Sequence, residues 1–287
     1  MKRQSRRTLI QALAALGQNA YIPGFFRGVI YQGRAKILCV PGLNCYSCPG
    51  ALGACPIGSL QAAISQGTGR FPAYVLGSLL LFGALLGRLV CGFLCPFGFL
   101  QDLLFRIPLP KLRIPRRLDR PLRYLKYLIL VLLVGLTLLK LEPVFCKFLC
   151  PAGLLEAGIP LTLTNPQFAS MRGPLFYVKL AVLVLIVVVT FFVERPFCRY
   201  LCPLGAFYGL FNGIGFYRMR VEQSKCVQCG KCSGVCPMTV DPVRTPNSCE
   251  CIRCGRCIDV CPAKAVCGGF SVSSGKSERK AGNLKQQ

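Results

Sequence analysis

The sequence contains no histidine and no tryptophan, only four methionines, and ten acidic residues against thirty-five basic ones. The absence of histidine excludes His-ligated haem, His-containing zinc sites and any Ser-His-Asp or Cys-His nucleophile system. Charged residues make up 16% of the 287-residue chain, fewer than a soluble domain of that size carries, while 53% are hydrophobic and mean hydropathy is +0.51. The excess lies in cysteine, with 20 residues. Disulfide scaffolds are usually short secreted chains without long apolar runs. Here most cysteines stand in C-x-x-C or C-x-x-x-C arrays closed by proline, which is ligand spacing.

The net charge of +25 fits either nucleic acid or a membrane surface, and its distribution decides. Three runs are apolar and long enough to cross a bilayer core of roughly 30 Å: about Pro72 to Val90, Tyr124 to Leu141 and Leu175 to Val193. A weaker run, Thr8 to Ile30, is interrupted by Gln18, Asn19, Pro23 and Arg27, and either crosses or lies in the interface. Eight lysines and arginines stand between Arg106 and Lys126, Arg113, Arg116, Arg117, Arg120 and Arg123 among them, against the single acid Asp119. That concentration marks a cytoplasmic loop. The Glu142 to Gly173 segment has only Lys147 and Arg172, balanced by Glu142 and Glu156, as an outer loop should. The basic charge is therefore topological, and no nucleic-acid partner is expected. The opening MKRQSRRTLI looks like a twin-arginine export signal, but no small-residue cleavage site follows. A retained cytoplasmic N-terminus held by Lys2, Arg3, Arg6 and Arg7 is the preferred reading.

From Cys226 the chain reads CVQCGKCSGVCP and from Cys251 CIRCGRCIDVCP. Each is the C-x-x-C-x-x-C-x-x-x-C-P run of bacterial 4Fe-4S ferredoxins, in which the fourth cysteine serves the other cluster. Cluster one should take Cys226, Cys229, Cys232 and Cys261, and cluster two Cys251, Cys254, Cys257 and Cys236. Structural zinc also uses C-x-x-C pairs, but tandem four-cysteine runs each closed by Cys-Pro fit it poorly. Arg220 to Cys267 is too short to bury much of a core, so the clusters must hold it together. Cys249 and Cys267 read as spare thiols.

A second pattern occurs three times: LVCGFLCPF at Leu89 to Phe97, FCKFLCPAG at Phe145 to Gly153, and FCRYLCPLG at Phe197 to Gly205. Residues four apart share a helix face, and proline biases the cysteine before it away from helical geometry. Each helix should break there and turn both thiols toward one centre. The span order puts Cys91, Cys95, Cys198 and Cys202 at the cytoplasmic face, together a complete four-thiolate site. Cys146 and Cys150 emerge at the opposite face, where the Tyr31 to Arg70 segment holds Cys39, Cys45, Cys48 and Cys55. Those four alone could ligate a cluster, or the middle pair could combine with two of them. One or two clusters beyond the ferredoxin pair are expected in the membrane part. The bland alternative is that these cysteines are small buried hydrophobes. A cluster at each face leaves a gap comparable to the roughly 30 Å core, so the sites sit deeper or another carrier bridges them.

The fold expected is an α-helical membrane protein with three to four transmembrane helices and a C-terminal α+β double 4Fe-4S ferredoxin domain. Residues 1–70 form a weak span or interfacial helix plus a cysteine-rich outer segment, 71–217 the helical core, 218–267 the ferredoxin domain and 268–287 a disordered tail. The location expected is the inner (cytoplasmic) membrane, multi-pass, with the ferredoxin domain cytoplasmic.

From about Pro72 to Pro262 these motifs together resemble the membrane polyferredoxins of the NapH type, with relatives in nitrous-oxide respiration, methylamine utilisation and haem-copper oxidase assembly. The resemblance implies an inner-membrane electron carrier that takes electrons from quinol or passes them to a periplasmic acceptor. The pair Cys146 and Cys150 and the Cys39 to Cys55 group are additions to that family's core pattern. The function expected is iron-sulfur electron transfer between a cytoplasmic or quinone-side donor and a membrane or extracytoplasmic redox partner, with a quinone or flavoprotein subunit as candidate partners. The chain reads as a carrier or oxidoreductase subunit rather than a stand-alone enzyme, since Glu142, Glu156, Glu194 and Asp102 read as interfacial carboxylates. Lys225, Lys231, Arg244, Arg253, Arg256 and Lys264 would dock an acidic donor. A metal-reduction or maturation factor is an alternative that four methionines and no histidine disfavour. An iron-sulfur redox sensor is another, and it would have to signal through protein contacts.

Overall fold

The computed structural model describes residues 2–65, 72–112, 114–140, 142–170 and 172–270. Arg70, Arg113, Leu141 and the tail from residue 271 onward lie outside them. The chain opens with α1 (Lys2–Gln18) and the short α2 (Ile22–Arg27), which Gly28 closes at φ 63°. Thr8 to Ile30 is thus two helices and not one continuous span. The cysteine-rich loop is pinned by a bridge between Cys39 and Ala54 and leads into α3 (Pro56–Ser65).

Helix α4 (Ala73–Leu86) stops four residues short of the expected Val90, because Gly87 turns the chain at φ 52°. At a rise of 1.5 Å per residue, its fourteen residues reach about 21 Å, less than a bilayer core. Next come α5 (Leu89–Phe93) and α6 (Pro96–Phe105), then the long α7 (Arg116–Lys140), which starts eight residues before the expected Tyr124. Two π-helical turns, Phe145–Leu149 and Leu154–Gly158, flank α8 (Pro151–Gly153), and α9 (Ile159–Thr164) and α10 (Pro166–Ser170) lead to α11 (Pro174–Phe192). Among the described residues two helices, rather than three or four, are both long and apolar enough to cross a membrane. They are Arg117–Leu139 within α7, of mean hydropathy 1.9, and α11 itself, at 2.7.

Four helices alternate in direction between two poles. Helix α1 starts where Gln4 donates to Asp259 of the ferredoxin domain and ends where the Leu52 amide donates to Gln18, in the cysteine-rich loop. Helix α4 starts beside that loop, with the Cys39 amide 3.4 Å from Tyr74 Oη, and ends where Arg253 holds the Leu86 carbonyl. Helix α7 leaves the ferredoxin pole at Arg123, bonded to Met238 O, and reaches the loop pole at Thr137, bonded to Gln61. Helix α11 returns from Lys179, which donates to Cys146 O, to Glu194, just beyond its end and paired with Arg256.

After α12 (Pro196–Tyr200) and α13 (Pro203–Leu210) comes the ferredoxin domain: β1 (Tyr217–Val221), α14 (Lys231–Gly234), α15 (Arg256–Asp259) and β2 (Val266–Phe270). The strands pair antiparallel, Val221 opposite Val266 and Tyr217 opposite Phe270, whose rings meet edge to face at 5.3 Å. That apolar pairing carries ordered chain to Phe270, past the tail boundary expected at residue 268.

The domain is seated by buried polar groups. Arg88, fully buried, donates to Glu250 at 3.0 Å, and Lys126 pairs with the same carboxylate. Asn212 donates to the Ser248 and Cys251 carbonyls, and Arg253 to those of Leu86 and Asn212. Arg253 and Arg256, expected on a docking surface for a donor, therefore face the helical core. Buried polar groups are costly unless hydrogen-bonded, and here each side chain is held by at least one partner, although Nε of Arg88 and of Arg253 has none.

Candidate iron-sulfur sites

Two cavities in the ferredoxin domain are each lined by four thiols. One collects Cys226, Cys229, Cys232 and Cys261, the other Cys236, Cys251, Cys254 and Cys257, so each run sends its fourth cysteine to its neighbour's cavity. Gly230 at φ 71° and Gly255 at φ 79° turn the loops into α14 and α15 and bring the third cysteine of each run back over the first two. Val227, Val243 and Val266 line the first cavity, and Met238, Val240 and Ile252 the second. This apolar burial pushes the Cys251 and Cys257 thiols up to about 12. Cys249 and Cys267 are exposed and line neither cavity.

The three Cys-Pro turns share one backbone geometry. Cys95, Cys150 and Cys202 adopt φ/ψ of −82/116°, −70/109° and −74/110°, each extended, each with proline opening the next helix. The first cysteines, Cys91, Cys146 and Cys198, lie in the preceding helical turn. Proline thus breaks the helix at the second thiol and lets both face inward. The Gly205 amide donates to Cys202 Sγ at 3.3 Å.

Cys91, Cys95, Cys198 and Cys202 are all buried and lie within electrostatic reach of one another. The two turns that carry them are related by a reciprocal exchange of arginines. Arg88, three residues before Cys91, donates to Cys198 O at 3.0 Å, and Arg195, three residues before Cys198, donates to Cys91 O at 2.6 Å. Phe97 and Phe197 meet edge to face at 5.1 Å between them. Gln101 Nε2 lies 3.1 Å from Cys198 Sγ. Glu250 balances Arg88, while Asp102 accepts from Arg195, Arg7 and Gln11. Asp102 is therefore a buried counter-ion and not an interfacial carboxylate. Sequence reasoning missed both arginines, although Arg-x-x-Cys precedes the first and third turns and Pro143 stands at that place in the second.

At the loop pole a cavity of about 320 Å³ is lined by Cys45, Cys55, Cys146 and Cys150. Cys39 and Cys48 do not line it, and Cys48 Sγ is turned to Asn19 Oδ1 at 3.5 Å. Burial, then the neighbouring Glu156, push the Cys45 thiol up to about 12. Glu156 is half-buried, accepts the Cys45 amide at 2.6 Å and is raised by desolvation to about 8, so it too departs from the interfacial role expected of it. Fully buried Gln61 donates to Thr137 and accepts from the Cys146 amide. Among the described residues no three ligating side chains converge on a single ion. Thiols set apart around a cavity suit a multi-iron cube with its own sulfide corners better than one metal ion.

A family model described as a 4Fe-4S binding domain matches residues 70–115, 122–159 and 175–221, one Cys-Pro turn in each stretch, and a 4Fe-4S dicluster domain matches 218–262. An uncharacterised protein of Methanocaldococcus jannaschii is 31% identical over 192 residues, 65% of this chain and 74% of that protein. The chain belongs to the ferredoxin-type 4Fe-4S protein family. Another relative of this ferredoxin-type chain is the putative electron transport protein YccM of Escherichia coli, 29% identical over 67% of the chain and 55% of YccM. The methylamine utilization ferredoxin-type protein MauN of Paracoccus denitrificans is 34% identical over 62% of the chain and 59% of MauN. The chain thus spans somewhat more than half the length of these two. No solved structure matches it at a significant level.

Proposed function

We propose that this ferredoxin-type protein is a multi-pass carrier of the inner membrane, with its ferredoxin domain cytoplasmic, that moves single electrons between a cytoplasmic or quinone-side donor and a membrane or extracytoplasmic acceptor. The observation that carries the reading is the convergence of two distant Cys-Pro turns into one buried four-thiol group, directly beneath a domain with two more. Cys226, Cys229, Cys232 and Cys261 would hold one 4Fe-4S cluster, Cys236, Cys251, Cys254 and Cys257 a second, and Cys91, Cys95, Cys198 and Cys202 a third. Clusters held by cysteine alone supply outer-sphere one-electron transfer, with potentials set by hydrogen bonds and burial. Arg88 and Arg195 fix the two turns against each other, and Phe97 and Phe197 keep water from between them. The membrane assignment rests on α7 and α11 and on what they leave uncovered: Val131 is 69% exposed and Leu185 62%. Faces of that kind need lipid or a partner. Helices α1 and α4 run between the same two poles beside these crossings, with the basic stretch from Arg106 to Lys126 inside.

Iron, acid-labile sulfide and EPR on anaerobically purified protein in detergent test this. Cys91→Ser with Cys198→Ser should lower the count by about four irons while the ferredoxin signals persist. An unchanged count sinks the third site.

A further inference from the structure

Building on the reading of the Cys-Pro turns as cluster ligands, we propose that Cys45, Cys55, Cys146 and Cys150 hold a fourth iron-sulfur cluster, one short step from the third. Spacing alone left two ligand sets open for the loop pole. The structure separates them, because the four thiols that share the cavity are two from the loop and two from the middle turn, while Cys48 faces Asn19. Two glycines mark how near the thiols stand to one another. A Cβ at Gly153 would lie 3.9 Å from both Cys150 Sγ and Cys45 Sγ, and one at Gly58 3.6 Å from Cys146 Sγ.

The gap to the third site is then a matter of chain length. A Cβ at Gly42 would come within 3.0 Å of Cys95 Cα, and Leu43, the next residue, lines the loop-pole cavity. Cys45 follows two residues on, so at most about 7 Å of backbone separates it from Leu43. Tyr208, fully buried, lies within electrostatic reach of Cys55, Cys91 and Cys95 and donates to Pro41 O at 3.1 Å. The expected gap of one bilayer thickness is thus closed by the loop folding inward. On the other side Gly92 packs against Ile252 and Cys254 of the second ferredoxin site. The third site thus touches the second ferredoxin site on one side and the loop-pole segment on the other. At each hop the donor cluster is oxidised by one electron and the next reduced by one, with no bond broken; the first electron comes from a reduced flavin or iron-sulfur donor.

Wild-type protein should contain about sixteen irons, and Cys45→Ser with Cys150→Ser about twelve, with the other EPR signals retained. Cys39→Ser and Cys48→Ser should leave the count unchanged. A wild-type count of about twelve that falls to about eight in Cys91→Ser with Cys198→Ser overturns the proposal, as does a loss of four irons in Cys48→Ser with none in Cys146→Ser or Cys150→Ser. Should the double variant not accumulate, Cys146→Ser against Cys48→Ser decides, with about four irons lost in the first and none in the second. The test is separate from that of the third site, since Cys91→Ser with Cys198→Ser removes a different set of four.

Discussion

At the scale of single residues, the junction between ferredoxin domain and helical core depends on a missing side chain. Gly92 sits between Cys91 and Cys95, and any Cβ there would run into the Ile252 carbonyl oxygen and come within 3.9 Å of Cys254 Cα. Backbone cannot yield as a flexible side chain can. Gly92→Val should push the domain off its seat while leaving all its ligands in place. Iron content should stay at the wild-type value, and the magnetic coupling between second and third clusters, seen as splitting in the EPR of the fully reduced protein, should be lost. Retained splitting would show that the two sites do not meet at Gly92. Gly135 in α7 has open space around it, so Gly135→Ala is the silent control.

At the scale of elements, α7 does two jobs. Its second half presents Leu138 and Leu139 outward, and its first half is a strut under the ferredoxin domain, with Arg123 on Met238 O and Lys126 on Glu250. Glu250 is the shared anion of Arg88 and Lys126, both fully buried. Removing one partner of a buried pair costs about 3–5 kcal/mol because the other charge is left uncompensated. Glu250→Gln should therefore destabilise more than Lys126→Met, which leaves Arg88 to balance Glu250. Thermal unfolding in detergent would order the two, and the reverse order would refute the shared-anion arrangement. The strut was hidden in the sequence for a physical reason. Lysine and arginine between 106 and 126 carry a topological signal whether they face water or a docked domain, and composition does not tell these apart. The Cys-Pro breaks were legible, because proline acts on its neighbour locally. The arginine exchange was not, because it joins residues more than a hundred positions apart.

At the scale of the whole molecule, the ferredoxin thiol groups and the pairing of the first and third turns could be read from spacing and span order. What could not be read was depth. Hydropathy assigns a segment to a side of the membrane and says nothing of a loop that folds back, as Gly42 and Leu43 do to reach Cys95. This changes the route an electron can take, since the third proposed site adjoins the second through Gly92 and the loop-pole site through Gly42 and Leu43. The consequence can be tested in proteoliposomes with the ferredoxin domain outward, dithionite outside as reductant and cytochrome c trapped inside as acceptor. Wild-type protein should reduce the trapped cytochrome. Cys91→Ser with Cys198→Ser removes the middle step and leaves no carrier between the second and fourth sites, so the rate should fall by about an order of magnitude or more. Cys45→Ser with Cys150→Ser removes the last step and should also slow it, although dithionite still reaches the third site. Equal rates in wild type and the first variant would mean that electrons bypass the third site, and that the convergence of Cys91, Cys95, Cys198 and Cys202 holds the helices together rather than conducting through them.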